Sequence, residues 1–220
     1  MAPSSQVNRR SSGKGEAGKK PRGRYHHGHL RRALIDASRQ IVADQGAAAL
    51  SLRGVARRLG VSHAAPLHHF ADKRELLAAV AAEGFDELGA AMQREADTAG
   101  SEPRARLNAA GVAYMRFAAE HGSLFRIMFG PELLRSGSPE LERSSRAAFQ
   151  VLVDTASEAV ARQKGPVDEQ QLAVVTTAAW SVVHGLALLW LDGHLREPSG
   201  GIANLAERVT AFLSQALERR

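Results

Sequence analysis

Histidine is the residue type in this sequence with the widest chemical range, and six of the nine histidines lie in two short clusters. Residues 26–29 contain three of them, and residues 63–69 contain the other three. Clustered imidazoles can bind zinc or nickel. No Asp/Glu/His helix motif completes a metal site around either cluster, so we predict that no metal binds there. Residues 26–29 are more typical of a fraying helix end or of the start of a DNA contact region.

Other catalytic chemistry has little support in the sequence. The chain has no cysteine, which excludes disulfides, thiolate metal sites and cysteine nucleophiles. It contains neither a Gly-x-Ser-x-Gly motif nor a glycine-rich phosphate loop. The neighbouring acids Asp168 and Glu169 are typical of a helix start, where the helix dipole favours negative charge. We therefore predict no catalytic residues, no cofactor and no enzymatic activity.

Charge is distributed unevenly along the chain. Residues 1–80 hold 15 Lys/Arg against 5 Asp/Glu, whereas residues 81–220 hold 14 against 18. A basic N-terminal third indicates contact with a polyanion. Residues 1–24 consist mainly of Ser, Gly, Lys and Arg and predict a disordered basic arm. Such an arm either follows DNA phosphates or a minor groove, or only solubilises the protein.

From His29 onward, apolar residues recur at helical spacing, and no strand-like alternation competes with this pattern. The sequence therefore predicts an all-α chain of 220 residues, with enough apolar content for a real core. A short apolar segment is expected at 123–129. The predicted helices cover residues 29–46, 51–60, 62–69, 72–97, 103–121, 138–165, 168–192 and 202–217.

The segment 51–70, SLRGVARRLGVSHAAPLHHF, predicts a helix-turn-helix. Two short helices joined by Leu-Gly-Val have the geometry in which the second helix, the recognition helix, enters the major groove of DNA. Gly60 permits the turn, Val61 fills the small core and Ser62 caps the recognition helix. A plain helical hairpin is the alternative, and the basic arm preceding the motif favours DNA binding instead.

Residues 55–77, VARRLGVSHAAPLHHFADKRELL, resemble the DNA-binding signature of the TetR family of bacterial transcriptional regulators. The resemblance covers about residues 29–80, and the chain length and all-helical layout also fit. It implies a homodimer that binds a palindromic operator on double-stranded DNA, most simply as a repressor. It also implies a small-molecule ligand in each C-terminal domain that changes the spacing of the two DNA-binding heads.

The resemblance also assigns residues to the DNA. Arg53 corresponds to a backbone or base contact. Leu67 stands where the family usually has tyrosine, and because leucine cannot donate a hydrogen bond to phosphate, that contact is lost or altered. Ala64 is too small for much direct readout, so Arg53 and His63 are expected to provide most specificity, with DNA shape providing the rest. The full predicted DNA-binding set is Arg53, Ser62, His63, Ala64, Leu67, His68, His69 and Lys73.

Further along the chain, Trp180, His184 and Gly185 resemble the Trp…His-Gly (WHG) pattern of one C-terminal subgroup of the same family. Residues 180 and 184 share a helical face, and Gly185 allows another helix to come close. Core packing and ligand contact are both open for these side chains. The predicted pocket for a largely apolar ligand consists of Tyr114, Met115, Phe117, Phe125, Met128, Phe129, Trp180 and His184.

Residues 172–191 contain no formal charge and are long enough to span a bilayer. Thr176, Ser181 and His184 near the middle and the acidic flanks argue against a membrane span. A helix that is apolar all round can instead be buried between its own domain and a second subunit. We therefore predict a four-helix dimer interface made with the amphipathic helix 202–218, and no membrane partner.

These patterns predict three regions: a disordered basic arm (1–24), a helix-turn-helix DNA-binding domain (25–75) and a helical ligand-binding and dimerisation domain (76–220). The predicted function is a cytoplasmic, ligand-responsive transcriptional regulator that a small molecule releases from its operator. A sequence-nonspecific architectural DNA-binding protein is the alternative, and a helical ligand carrier or enzyme is the third hypothesis.

Overall fold

The computed structural model of the chain describes residues 27–133, 136–164, 168–196 and 200–218. Within these segments the chain forms α-helices and short 3₁₀ turns and contains no strand, which confirms the predicted all-α class. The predicted basic arm, residues 1–24, lies outside the described residues.

The helices follow one another through short connections, close to the predicted limits. Single 3₁₀ turns lie at Ala47–Ala49 and Ala65–His68. The predicted short segment at 123–129 is itself helical. The helices are α1 (His27–Gln45), α2 (Leu52–Leu59), α3 (Lys73–Thr98), α4 (Pro103–Glu120), α5 (Gly122–Met128), α6 (Pro139–Lys164), α7 (Glu169–Leu191) and α8 (Gly201–Glu218).

Polar side chains at the helix starts explain these limits. Asp72 accepts a hydrogen bond from the Glu75 N–H at 2.9 Å, and the Glu75 carboxylate accepts one from the Ala71 N–H at 2.5 Å. Asp72 is therefore the N-cap of α3, and the bond from Ala71 to Glu75 ties the preceding residue to the first turn. Asp168 caps α7 in the same sense, accepting from the Gln170 N–H at 3.3 Å.

The N-terminal head (residues 27–70) packs α1, α2 and the segment after α2 around a small core. Leu34 and Val55 are fully buried in it, and Phe70 is 2% exposed. Gly60 ends α2 with a φ of 67°. Glycine adopts this left-handed conformation without steric penalty, so the predicted turn is confirmed.

α3 joins the head to the body, which consists of α4 to α8. It continues without a break past residue 75, where the sequence predicts the domain boundary. It packs against α1 in the head and against α4, α5 and α6 in the body. Buried apolar residues form one continuous cluster from Leu34 in α1 to Ala206 in α8. Close-packed cores transmit displacement, so the head and the body are mechanically connected.

Ion pairs reinforce the contact between α1 and α3. Arg39 donates to the Glu87 carboxylate at 2.6 Å, and Arg32 donates to Glu83 at 2.9 Å. Burial raises the pKa of Glu83 in spite of the two nearby arginines. These pairs orient the two helices, and their contribution to stability is small because most of the groups remain partly exposed.

α7 is the helix among the described residues whose length and apolar composition would suffice to cross a membrane. The buried central helix of a protein that is not in a membrane can have the same length and composition. In the single chain only 28% of its most apolar stretch is buried. Much of this apolar helix is therefore not covered by any other element that the structure describes.

Candidate DNA-binding surface and effector cavity

Residues 62–70, the recognition segment, differ from the α-helix predicted over 62–69. A turn leads into the 3₁₀ turn Ala65–His68, which has no side-chain cap. Ser62, predicted to cap this element, contributes its backbone carbonyl, which accepts from the Ala65 N–H at 3.0 Å. Pro66 explains the difference, because it has no N–H to donate and its ring disfavours the α conformation at the preceding residue.

The predicted DNA contacts lie on α2, on the recognition segment and at the first residue of α3. Lys73 is partly buried and its Nζ donates to the Ala48 carbonyl at 3.3 Å. His69 is also partly buried. The six exposed members of the set are Arg53, Ser62, His63, Ala64, Leu67 and His68.

The arginines of α2 differ in their partners. Arg58 pairs with Asp44 at 3.6 Å on α1. Arg53 and Arg57 are exposed and form no ion pair with any residue in the described part of the chain. Their charge is therefore available to a partner, and phosphate is the anion that arginine binds well in a bidentate manner.

Arg31 of α1 connects the recognition segment to the body. Its guanidinium carbon lies 5.4 Å from the ring centre of Phe70, the last residue of the segment. The same guanidinium donates to the Glu140 carboxylate at 2.5 Å, in the first turn of α6. Leu141, the next residue, lines a large cavity in the body. One side chain therefore contacts both the DNA-binding head and the helix that bounds the cavity.

This cavity has a volume of about 800 Å³ and is bounded by α3, α4, α5, α6 and α7. Its walls are mainly aromatic and aliphatic, and its size is in the range of small-molecule sites. Five of the eight predicted pocket residues line it: Tyr114, Met128, Phe129, Trp180 and His184.

The other three predicted pocket residues do not line the cavity. Met115 and Phe125 are fully buried in the core, and Phe117 is 5% exposed. On α4, residue 115 points about 100° away from residue 114. Residue 117 lies nearly one turn further along the helix, where its ring packs 4.8 Å from that of His121. Phe125 instead packs behind the wall, with its ring edge-on to Tyr114 at 5.5 Å.

Sequence reasoning missed the contribution of α3 and α6 to the cavity. Phe85, Leu88 and Met92 of α3 and Phe149 and Leu152 of α6 line it. Their spacings of three, four and three residues place each set on one helical face. This spacing was visible in the sequence, but it could not show which face borders a cavity rather than a filled core.

A polar cluster lies at the centre of the apolar wall. The Tyr114 hydroxyl and Nδ1 of His184 are 2.8 Å apart. The ring of Trp180 lies 5.7 Å from that of His184, which confirms that these two residues are neighbours on α7. Burial lowers the pKa of His184 and raises that of Tyr114, so both side chains are neutral near pH 7.

Two family models match this chain. "Bacterial regulatory proteins, tetR family" matches residues 34–80, and "Tetracyclin repressor-like, C-terminal domain" matches residues 107–213. The chain belongs to the TetR family. This TetR-family protein is accordingly a helix-turn-helix DNA-binding transcription regulator and not an enzyme. The narrower WHG assignment of its C-terminal domain remains a prediction.

Individual proteins are similar to this chain in sequence or in fold. The transcriptional activator FasR of Mycolicibacterium smegmatis is 23% identical over 159 residues, which cover 72% of this chain and 71% of FasR. A solved structure of a protein with unknown function from Rhodococcus sp. RHA1 is 34% identical with a TM-score of 0.74, covering 90% of this chain and 97% of that one. A tetR-family regulatory protein from Rhodococcus RHA1 shares the fold, with 22% identity, a TM-score of 0.61 and coverages of 84% and 95%.

Proposed function

We propose that this TetR-family regulator is a cytoplasmic repressor that binds a palindromic operator as a homodimer and leaves it when a small molecule fills the cavity. The connection from cavity to recognition segment through Glu140, Arg31 and Phe70 is the observation that carries this proposal. Residues 25–75 and 76–220 act as the DNA-binding and the ligand-binding and dimerisation regions. Repression goes beyond what the named relatives share, since FasR is an activator.

A second copy of the chain covers the exposed apolar face of α7 and α8. Val174, Leu188 and Leu189 on α7 are 68%, 36% and 45% exposed, and Phe212 on α8 is 73% exposed. Residues 174 and 188 are two heptads apart and so share a helical face. Gly185 lies between them, and a Cβ there would meet nothing within 4 Å. The space beside Gly185 suits the close approach of a partner helix.

Release from DNA is a shift between two arrangements of the dimer. A ligand releases the operator only by binding the DNA-incompetent arrangement more tightly. Ligand contact with Leu141 and Glu142 would move the start of α6, which holds Glu140 against Arg31. Because Arg31 also lies over Phe70, the movement reaches the recognition segment.

Reversing the charge of Arg31 tests this connection. We expect Arg31→Glu to lower operator affinity about tenfold, because it removes a cation–π contact and an ion pair in both subunits and places two carboxylates together. The measurement is an operator titration at 0.15 M salt. Trp180 and Trp190 both lie in α7, so their fluorescence checks that the body stays folded.

Arg116→Glu is the matched control for Arg31→Glu. Arg116 pairs with Glu95 at 2.9 Å with exposures of 45% and 42%, close to the 40% and 37% of the Arg31–Glu140 pair. Both substitutions change the net charge equally, so an equal loss of affinity would indicate a general electrostatic effect and contradict the proposed connection.

Deletion of residues 1–24 tests the basic arm. The arm holds seven Lys/Arg and one Glu. If it follows DNA phosphates, we expect the deletion to reduce the slope of log K against log salt by about 0.9 for each lost phosphate contact. Operator titrations at several salt concentrations measure this slope. An unchanged slope would assign the arm a passive role.

The proposal as a whole is tested with the DNA upstream of the chain's own gene. A titration in the presence of excess random duplex should leave specific binding intact. If the competitor removes the binding, the next experiment selects bound duplexes from a pool of random sequences. Enrichment of an inverted repeat would support the proposal. Equal binding to all duplexes would favour the architectural alternative, and ligand binding without DNA affinity would favour a carrier.

A further inference from the structure

We infer that the effector is an uncharged, largely apolar compound that places a hydrogen-bond acceptor, such as a carbonyl oxygen, against Nε2 of His184. The inference rests on the proposed effector binding and specifies its chemistry. It starts from the hydrogen bonds of the central polar cluster and from the position of the charged groups around the cavity.

The hydrogen-bond partners fix the direction of donation at His184. Tyr114 is only 5% exposed, and its hydroxyl lies 2.8 Å from Nδ1 of His184. Among the described residues, Nδ1 of His184 is the one hydrogen-bond partner of the Tyr114 hydroxyl, and a buried O–H left without an acceptor is costly. The Tyr114 O–H therefore donates to Nδ1 of His184.

A neutral imidazole whose Nδ1 accepts carries its proton on Nε2. His184 is neutral at pH 7 because burial lowers its pKa. The His184 side chain lines the cavity, with the ring of Phe129 4.6 Å away and that of Phe125 5.6 Å away. None of these aromatic neighbours is a strong acceptor, so the Nε2–H is a donor available to an acceptor on a ligand in the cavity.

The charged side chains that line the cavity are exposed to solvent, unlike the polar cluster around His184. Among the described lining residues, only Glu142 and Arg146 carry formal charge. They pair with each other, and their side chains are 69% and 74% exposed. A charged group deep in the cavity would lose its hydration without an opposite charge to compensate it. A cation would also face the donor N–H of His184.

A matched pair of probes isolates the acceptor. Benzophenone and diphenylmethane have the same two rings and differ at the central carbon, which is a carbonyl in the first and a methylene in the second. Both are titrated against the full-length protein loaded with the uncharged dye Nile red. The affinity ratio of the two probes is then compared between the wild type and His184→Phe, which cancels their different solubilities in water.

We expect this ratio to fall about tenfold in His184→Phe, because one buried hydrogen bond is lost and no donor replaces it. Tyr114→Phe should lower the ratio less, since His184 can still present a proton to the ligand. Phe149→Leu is the control, because it trims the apolar wall and should weaken both probes equally. Circular dichroism and retained Nile red binding check that each variant is folded.

Other outcomes overturn the inference in distinguishable ways. An unchanged ratio in His184→Phe, or dye that no probe displaces, would contradict the acceptor while leaving effector binding in place. Tighter binding of 4-benzoylbenzoate than of benzophenone would contradict an uncharged ligand. Failure of the wild-type protein to bind Nile red or either probe would remove the proposed effector function itself.

Discussion

Replacing Phe212 by aspartate should convert the protein to a monomer and lower its operator affinity about 100-fold or more, because a monomer holds only one half-site. Phe212 is 73% exposed in the single chain, the largest exposure of any large apolar side chain in the described residues. Burying an aromatic side chain contributes roughly 1.5–3 kcal/mol, and a symmetric interface contains it twice. Phe212→Asp removes this contribution and introduces two unpaired carboxylates.

Sedimentation velocity measures the oligomeric state, and the operator titration measures the consequence for DNA binding. Phe149→Asp is the matched control, because Phe149 is 41% exposed but lies at the cavity rather than on α7 or α8. It should stay dimeric. A Phe212→Asp dimer would place the interface elsewhere, and a Phe149→Asp monomer would show that α6 contributes to it.

Exposed apolar side chains coincide with the proposed binding surfaces. Six large ones are strongly exposed among the described residues. Four lie on α7 and α8, Leu67 lies on the recognition segment and Phe149 lies beside the cavity. Single exposed apolar residues are common and need no explanation, but their concentration at a dimer face, a DNA surface and a cavity supports these assignments together.

The helical layout was predictable from local sequence because its determinants are local. Asp72 caps α3 at the residue where that helix was predicted to begin, and Gly60 forms the predicted turn. Each acts through hydrogen bonds or backbone angles within a few residues, so no tertiary information is needed. The recognition segment was harder to predict from sequence. The helix-turn-helix pattern favours an α-helix there, whereas Pro66 disfavours one, and the structure has a 3₁₀ turn.

The lining of the cavity was only partly predictable, because tertiary packing decides which buried residues border a cavity and which lie in the filled core. Their residue types made Tyr114 and Met115 equally good candidates for the pocket, yet these neighbouring positions on α4 face different parts of the core. Phe125 and Phe129 are four residues apart, and their ring centres are 4.7 Å apart. Only Phe129 lines the cavity. Apolar periodicity shows that a face is buried, and it does not show what lies opposite.

Arg53→Ala and His63→Ala should each reduce specific operator binding strongly while leaving the fold and the dimer intact. Loss of a base contact costs about 1–3 kcal/mol, and a homodimer loses it at both half-sites, so about 2–6 kcal/mol is expected. Both side chains are exposed, and Arg53 makes no ion pair with a described residue, so neither supports the head. Competition titrations with operator and random duplex measure the loss.

Arg162→Ala and His194→Ala make the same chemical changes on exposed positions of the body and serve as controls. Normal operator binding by both head variants would show that the base-contacting surface lies elsewhere. Substituted operators separate base contacts from phosphate contacts. If His63 contacts a base edge, His63→Ala lowers discrimination at one position of each half-site, whereas loss of a phosphate contact weakens binding to all sequences equally.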